Sequence, residues 1–209
     1  RNYQKAGYRW LKTLSRLGFG GILADDMGLG KTLQVIALLM SERKGTSIVV
    51  CPTTLVLNWV HEFEKFAPEI KTLAVTGSGD ERKLLAEKFG ECDVIITSYE
   101  LLRRDSELYR ETEFDFAIID EAQYIKNPDT KNAKAVKSLS ARHRFALTGT
   151  PVENSLAELW SIFDFLMPGY LFSYGKFRDA IETEIVHGDE DAGNRLSRLI
   201  KPFILRRLK

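Results

Sequence analysis

The sequence predicts an α/β fold, a parallel sheet flanked by helices, and three observations carry that prediction. Short apolar runs of strand length alternate with longer amphipathic stretches, the pattern of repeated strand-helix units. Of the 209 residues, 44% are hydrophobic and 28% charged, which fits one sizeable or two small globular domains with an ordinary buried core. After Pro151 no further strand-like run appears, so a small helical appendage is expected to follow the sheet.

In chain order, strands are expected at residues 21–24, 47–51, 73–75, 93–97, 116–120 and 144–148, where apolar residues run together over strand length. Helices are expected at 4–17, 31–43, 55–66, 81–89 and 130–138, each with apolar residues recurring at three- and four-residue spacing. The appendage reads as helices at 155–166, 174–184 and 194–200, separated by Met167-Pro168-Gly169 and a polar stretch from His187 to Asp191. His187 beside Asp189, Glu190 and Asp191 is read as a solvated loop with a charge run rather than a metal site. Trp10, Trp59, Trp160, Phe163 and Phe165 lie at helical spacing among other apolar residues, so they read as core rather than as a base-stacking platform.

Charge and composition exclude several function classes. Lys and Arg number 30 against 29 Asp and Glu, a net charge of +1, so no global field draws the chain onto nucleic acid or an acidic membrane. Any nucleic-acid contact is therefore a local patch. Cys51 and Cys92 lie far apart in apolar runs and match neither a disulfide framework nor a zinc spacing; they read as small buried hydrophobes of a reducing compartment. The longest uncharged stretch, 45–60, is shorter than a membrane span and contains Pro52, Thr53, Thr54 and Asn58. The expectation is a soluble intracellular protein with no membrane partner, cytoplasmic in a prokaryote and nuclear in a eukaryote. The start at Arg1 and the basic end, Leu205-Arg206-Arg207-Leu208-Lys209, point to a piece of a longer chain.

The segment Asp25-Asp26-Met27-Gly28-Leu29-Gly30-Lys31-Thr32 follows a strand and opens a helix. In that arrangement backbone N–H groups and a helix N-terminus surround the phosphates of a nucleotide. Gly28 and Gly30 let the backbone approach closely, Lys31 reaches the β- and γ-phosphates, and the Thr32 hydroxyl ligates Mg²⁺. The full phosphate-loop pattern has a further glycine where this chain has Asp25, so the match is partial.

Such a loop needs a second carboxylate at the end of a neighbouring buried strand to hold Mg²⁺. Phe116-Ala117-Ile118-Ile119-Asp120-Glu121 supplies it: Asp120 orients the metal, and Glu121 polarises the water that attacks the γ-phosphate. The last strand ends in Thr148-Gly149-Thr150-Pro151, which adds a hydroxyl sensor. In a parallel sheet ligands bind outside the carboxyl ends of the strands, and all three segments fall there. ATP and Mg²⁺ are the expected ligands.

These segments, together with Tyr3-Gln4, Gly7, Trp10 and Leu11, Val49-Val50-Cys51-Pro52 with Asn58-Trp59 and Glu62-Phe63, Thr97-Ser98-Tyr99-Glu100, Ala122-Gln123 with Ile125-Lys126-Asn127, Glu153-Asn154, and Pro202-Phe203-Ile204-Leu205-Arg206-Arg207, resemble the Swi/Snf-type ATPases of helicase superfamily two. The resemblance covers essentially the whole chain as the first of that family's two RecA-like lobes. It implies a RecA-like P-loop lobe over 1–154, a helical protrusion over 155–200 and a return segment over 201–209 toward a second lobe.

By the same resemblance Gln4 reads the adenine edge, Thr148 links the γ-phosphate to DNA grip, and Thr53, Thr54, Thr97 and Ser98 face DNA phosphates. Thr53 and Thr54 have an alternative reading as caps of the helix beginning near Leu55. The implied activity is Mg-ATP hydrolysis that drives movement along double-stranded DNA without strand separation, acting on DNA-bound proteins. An RNA- or DNA-unwinding helicase lobe shares the ATP site. A small-molecule kinase would leave Gln4, Glu121 and the Thr148 block unexplained, and a non-enzymatic module would be expected to have lost Lys31, Asp120 or Glu121. Gln123 departs from a histidine common in the family: it cannot titrate, but it can hydrogen-bond. Without the second lobe and its arginine finger, a group contributing a factor of about 10³ to 10⁵ where it acts, the isolated chain is expected to bind ATP weakly and turn it over poorly.

Overall fold

The computed structural model describes residues 1–149 and 155–209. Its strands are β1 (Gly21–Leu23), β2 (Ser47–Cys51), β3 (Thr72–Ala74), β4 (Val94–Ser98), β5 (Glu113–Ile119), β6 (Ser140–Leu147) and β7 (Ile204–Leu205). They form one sheet in the order β3-β4-β2-β5-β6-β1-β7, with every pairing parallel. The central strands β2 and β4 are buried along their whole length, as strands with helices on both faces must be.

Ten helices lie among the described residues: α1 (Asn2–Arg16), α2 (Lys31–Glu42), α3 (Val56–Phe66), α4 (Gly79–Ala86), α5 (Tyr99–Arg104), α6 (Lys131–Lys137), α7 (Leu156–Leu166), α8 (Tyr174–Phe177), α9 (Thr183–Val186) and α10 (Glu190–Ile200). They pack as two groups, α1 on α2 on α3 and α5 on α6 on α7. The buried stripe of α1, Gly7, Leu11, Leu14 and Ser15, keeps the three- and four-residue spacing of an amphipathic helix. In α7 seven of eleven residues are buried, and all of them but Ser161 join the core of the sheet, including Trp160, Phe163 and Phe165. No described helix is long and apolar enough to cross a membrane.

Three departures from the expected elements have physical causes. A strand, β7, does follow the helical segment: Ile204 and Leu205 pair with Ile22 and Leu23 of β1. Two residues are too few to show any periodicity. Helix α5, unexpected from the sequence, is under two turns long and starts where the Ser98 hydroxyl accepts the Leu101 amide at 3.2 Å. The single helix expected over 174–184 is interrupted by a π-helical turn at Arg178–Glu182. There the Thr183 hydroxyl donates to the carbonyl of Arg178, five residues back, at 2.9 Å.

Strand β6 starts earlier than expected because its first residues are polar, with Arg142 paired to Glu113 of the adjacent β5 at 3.3 Å. Cys51 is buried as expected, whereas Cys92 is only half-buried. His187 is exposed and its Nδ1 lies 2.7 Å from the Thr183 carbonyl, while Asp189 caps α10.

Candidate active site

Because all strands run the same way, their carboxyl ends share one edge of the sheet. Strands β5, β6 and β1 are adjacent there, with Ile119 opposite Ala146 and Leu147 opposite Leu23. The chain therefore sets the end of β5, Asp120-Glu121, the end of β6, Thr148-Gly149, and the loop after β1 beside one another. Thr150, Pro151, Glu153 and Asn154 lie outside the described residues.

The loop from Asp25 to Gly30 ends in two left-handed glycines, Gly28 at φ +83° and Gly30 at φ +77°. Gly30 is the N-cap of α2 and provides no side chain to it, so the amides of the first turn point into the loop. Lys31 opens the helix and donates through Nζ to the Asp25 carbonyl at 2.7 Å. A Cβ on Gly149 would lie 3.8 Å from that Nζ, so the end of β6 faces the same ammonium. Thr32 is the next helical residue and is half-buried. Gln4 closes the loop from the other side: its Nε2 donates to the Leu29 carbonyl at 3.4 Å, and a Cβ on Gly30 would meet that nitrogen at 2.4 Å. Gly30 is thus required both by its backbone angle and by the approach of Gln4.

Asp120 is 7% exposed, and its carboxylate is held by neutral donors. The Trp59 indole N–H reaches Oδ2 at 3.0 Å, and the Glu121 amide reaches Oδ1 at 2.9 Å. Burial pushes the Asp120 carboxyl up, the Trp59 hydrogen bond pulls it back down, and the neighbouring Glu121 charge raises it further. The Tyr99 hydroxyl donates to the Asp120 carbonyl at 2.7 Å. Burial, with Asp120 nearby, pushes the Cys51 thiol up to about 12, so this cysteine is an inert filler beneath the site.

Glu121 has φ +52°, a left-handed conformation that a non-glycine residue adopts at a cost of about 1 kcal/mol or more, and it turns the side chain along the sheet edge. Its Oε2 accepts from Gln123 Nε2 at 2.8 Å, and Gln123 Oε1 accepts from the Thr148 hydroxyl at 3.3 Å. A three-residue chain therefore joins the end of β5 to the end of β6. An amide suits the middle of it, donating to a carboxylate while accepting from a hydroxyl. The same chain gives the Gln123 departure from histidine a structural role.

Thr53 and Thr54 are exposed in a 3-10 turn, and neither caps α3, whose N-cap is Leu55 with no side-chain cap bond. With Pro52, Tyr99, Glu100 and Tyr124 they line a cavity of about 170 Å³. Thr97 and Ser98 are buried at the end of β4. They are 0% and 1% exposed, Thr97 Oγ1 accepts from the Tyr109 hydroxyl at 3.3 Å, and Ser98 caps α5, so both hydroxyls are engaged within the lobe. Larger concavities of 490 and 540 Å³ open at the amino ends of the strands, and one of 420 Å³ lies between residues 126–129 and the start of α7; none is lined by a residue of this site.

Trp59 and Tyr99 were legible only as apolar or local residues, since their hydrogen bonds to Asp120 span 61 and 21 positions. Arg207, whose guanidinium reaches Asp25 at 2.9 and 2.5 Å, also escaped the sequence reading as a site residue. The one available signal was the buried-strand context of Asp25, which demands a partner for its charge.

The family model for the SNF2-related domain matches residues 3–209. The TATA-binding protein-associated factor MOT1 of Saccharomyces cerevisiae is 38% identical across this whole chain, which spans 13% of that protein. The putative ATP-dependent helicase/translocase YwqA of Bacillus subtilis is 41% identical across the whole chain, which spans 23% of it. This chain therefore covers less than a quarter of either relative. The Sulfolobus solfataricus SWI2/SNF2 ATPase core, solved in complex with double-stranded DNA, superposes with a TM-score of 0.93 at 45% identity, over all of this chain and 44% of that one. With the phosphate loop, the acidic strand end and the Gln4 helix assembled on one sheet edge, these matches show that the chain belongs to the SNF2-related domain family.

Proposed function

We propose that this chain is the ATP-gripping lobe of a DNA-dependent ATPase that hydrolyses Mg-ATP to move along double-stranded DNA without separating its strands. The observation that carries the reading is the Glu121–Gln123–Thr148 chain beside Lys31 and the left-handed glycine loop. A phosphate-binding loop alone serves many enzymes. A carboxylate linked to a hydroxyl on the next strand suits a water-activating base whose state is reported across the sheet.

The loop amides and Lys31 bind the phosphate oxygens, and Gln4 meets the adenine edge. Glu121 holds the attacking water and accepts its proton, and Gln123 and Thr148 fix the orientation of Glu121. Mg²⁺ takes one or two protein ligands and otherwise phosphate and water oxygens. Thr32 and the buried Asp120 would hold it, and it would neutralise charge on the phosphates.

The exposed Thr53 and Thr54 at the ends of β2 are the DNA-facing hydroxyls of this reading, contacting phosphates without sequence preference. Support for duplex DNA comes from the structural relative solved on it, and support for DNA-bound proteins as targets from the printed name of the yeast relative. Residues 1–154, 155–200 and 201–209 would serve as lobe, protrusion and return segment, with catalysis completed by a second RecA-like lobe. The deciding experiment is the ATPase rate of the full-length protein alone, with duplex DNA and with single-stranded RNA. Stimulation by duplex DNA is expected; stimulation by RNA alone would overturn the proposal. Glu121→Gln is expected to retain ATP binding and lose turnover by a factor of about 10² to 10⁴, and persistent turnover would remove Glu121 as the base.

A further inference from the structure

The carboxylate that stands in place of the phosphate loop's first glycine is not idle. Asp25 is 0% exposed, and its partner comes from the far end of the chain. Arg207 donates through Nε to Asp25 Oδ1 at 2.9 Å and through one terminal nitrogen to Oδ2 at 2.5 Å. That same nitrogen donates to Gln34 Oε1 on α2 at 2.9 Å, and the other terminal nitrogen donates to the Tyr3 carbonyl on α1. The guanidinium also lies 5.3 Å from the centre of the Tyr3 ring. Around this head the backbone runs alongside the loop: Ala24 N donates to the Leu205 carbonyl at 2.7 Å and Asp26 N to the Arg207 carbonyl at 3.0 Å.

We propose that Arg207 is a positioning residue of the nucleotide site, locking the phosphate loop through Asp25 to the Gln4-bearing helix through Tyr3. The inference rests on the ATPase reading above. Two pocket halves are involved: the loop that meets phosphates and the helix that meets adenine. Each is one hydrogen bond from the Arg207 fork, and Asp25 also supplies the carbonyl that Lys31 contacts. Lysine has the charge but not the planar fork, so it cannot serve Asp25, Gln34 and Tyr3 together. Gly7 is an independent sign of the same junction. A Cβ there would meet Gln34 Oε1 at 1.8 Å and the Arg207 nitrogen at 2.7 Å, so α1 docks onto this network only through a residue without a side chain.

The test compares ATP and GTP kinetics of the full-length wild type with those of Arg207→Lys, Arg207→Gln, Gly7→Ala and Gln4→Ala, with thermal melting as a fold check. Arg207→Lys is expected to raise KM for ATP about tenfold with a smaller change in kcat. It should also narrow the preference for ATP over GTP toward that of Gln4→Ala, and Gly7→Ala should do the same with Arg207 intact. A purely structural arginine would lower the folded fraction without moving that preference. Folded Arg207→Lys with wild-type KM and wild-type preference overturns the proposal, and this variant decides the matter if Arg207→Gln fails to fold. Failure of the ATPase reading itself looks different: the wild type would not hydrolyse ATP, and Lys31→Ala would change nothing.

Discussion

Two buried carboxylates stand at the same sheet edge, and the fold treats them oppositely. Asp25, after β1, is neutralised by a forked guanidinium from Arg207 and by the Gln34 amide at 3.3 Å. Asp120, after β5, has no ion-pair partner among the described residues and is held by an indole and a backbone amide. Burying an ionised carboxylate costs several kcal/mol unless a charge compensates it. At Asp25 the chain supplies that charge itself. At Asp120 it supplies orientation and a weaker influence from the Lys31 charge, and on the proposed reading the missing positive charge would be that of Mg²⁺. The difference separates a charge-paired carboxylate from one without an ion pair where the sequence shows only Asp in both places.

Exchanging each carboxylate for its amide is the sharpest way to break this contrast. Asp120→Asn is expected to lower turnover about 10³-fold, the scale of losing one preorganised electrostatic group, while leaving stability unchanged or about 1 kcal/mol higher. Asp25→Asn is expected to do the reverse, costing about 3 kcal/mol in denaturant unfolding with a smaller loss of kcat. Equal stability losses in the two variants would erase the distinction.

A smaller effect is expected from Trp59→Phe, which removes one neutral donor for about 1 kcal/mol of stability. The Trp59 bond lowers the Asp120 pKa, so its loss moves the acid limb of the kcat/KM profile to higher pH. The sign for stability follows from the same shift. A carboxyl whose folded pKa is raised favours folding least when ionised, so stability contributed by protonated Asp120 declines as pH rises through that pKa, and Asp120→Asn removes the dependence. The smallest change is expected for Gln123→Ala, a drop in turnover of about fivefold from one lost hydrogen-bonded bridge, with ATP binding retained; equilibrium nucleotide titration separates the two.

What the sequence revealed divides by distance along the chain. The glycine spacing before Lys31 and the apolar run before Asp120 are local signals, and the structure sets the two segments on adjacent parts of one edge. Six strands show in the same way, within a few residues of their observed limits. Pairings across the chain do not show: Trp59 reads as core because its ring is buried, and nothing local reveals that its N–H meets a carboxylate 61 positions on. Thr97 and Ser98 illustrate the converse. A hydroxyl at a strand end resembles a surface contact in sequence, but here one faces Tyr109 and the other caps a short helix. β7 escaped notice because its evidence is a partner strand and not a pattern of its own.

That two-residue strand also sets a timetable. Of the strands in this sheet β1 is synthesised first, yet its neighbours are β6 and β7, the two synthesised last. At about 5–20 residues per second, the segment carrying the phosphate loop waits on the order of ten seconds for β6 alone. The loop is then finished only when Arg207 emerges and reaches back to Asp25. On the proposed ATPase reading, nucleotide would meet a completed site only after synthesis has passed Arg207.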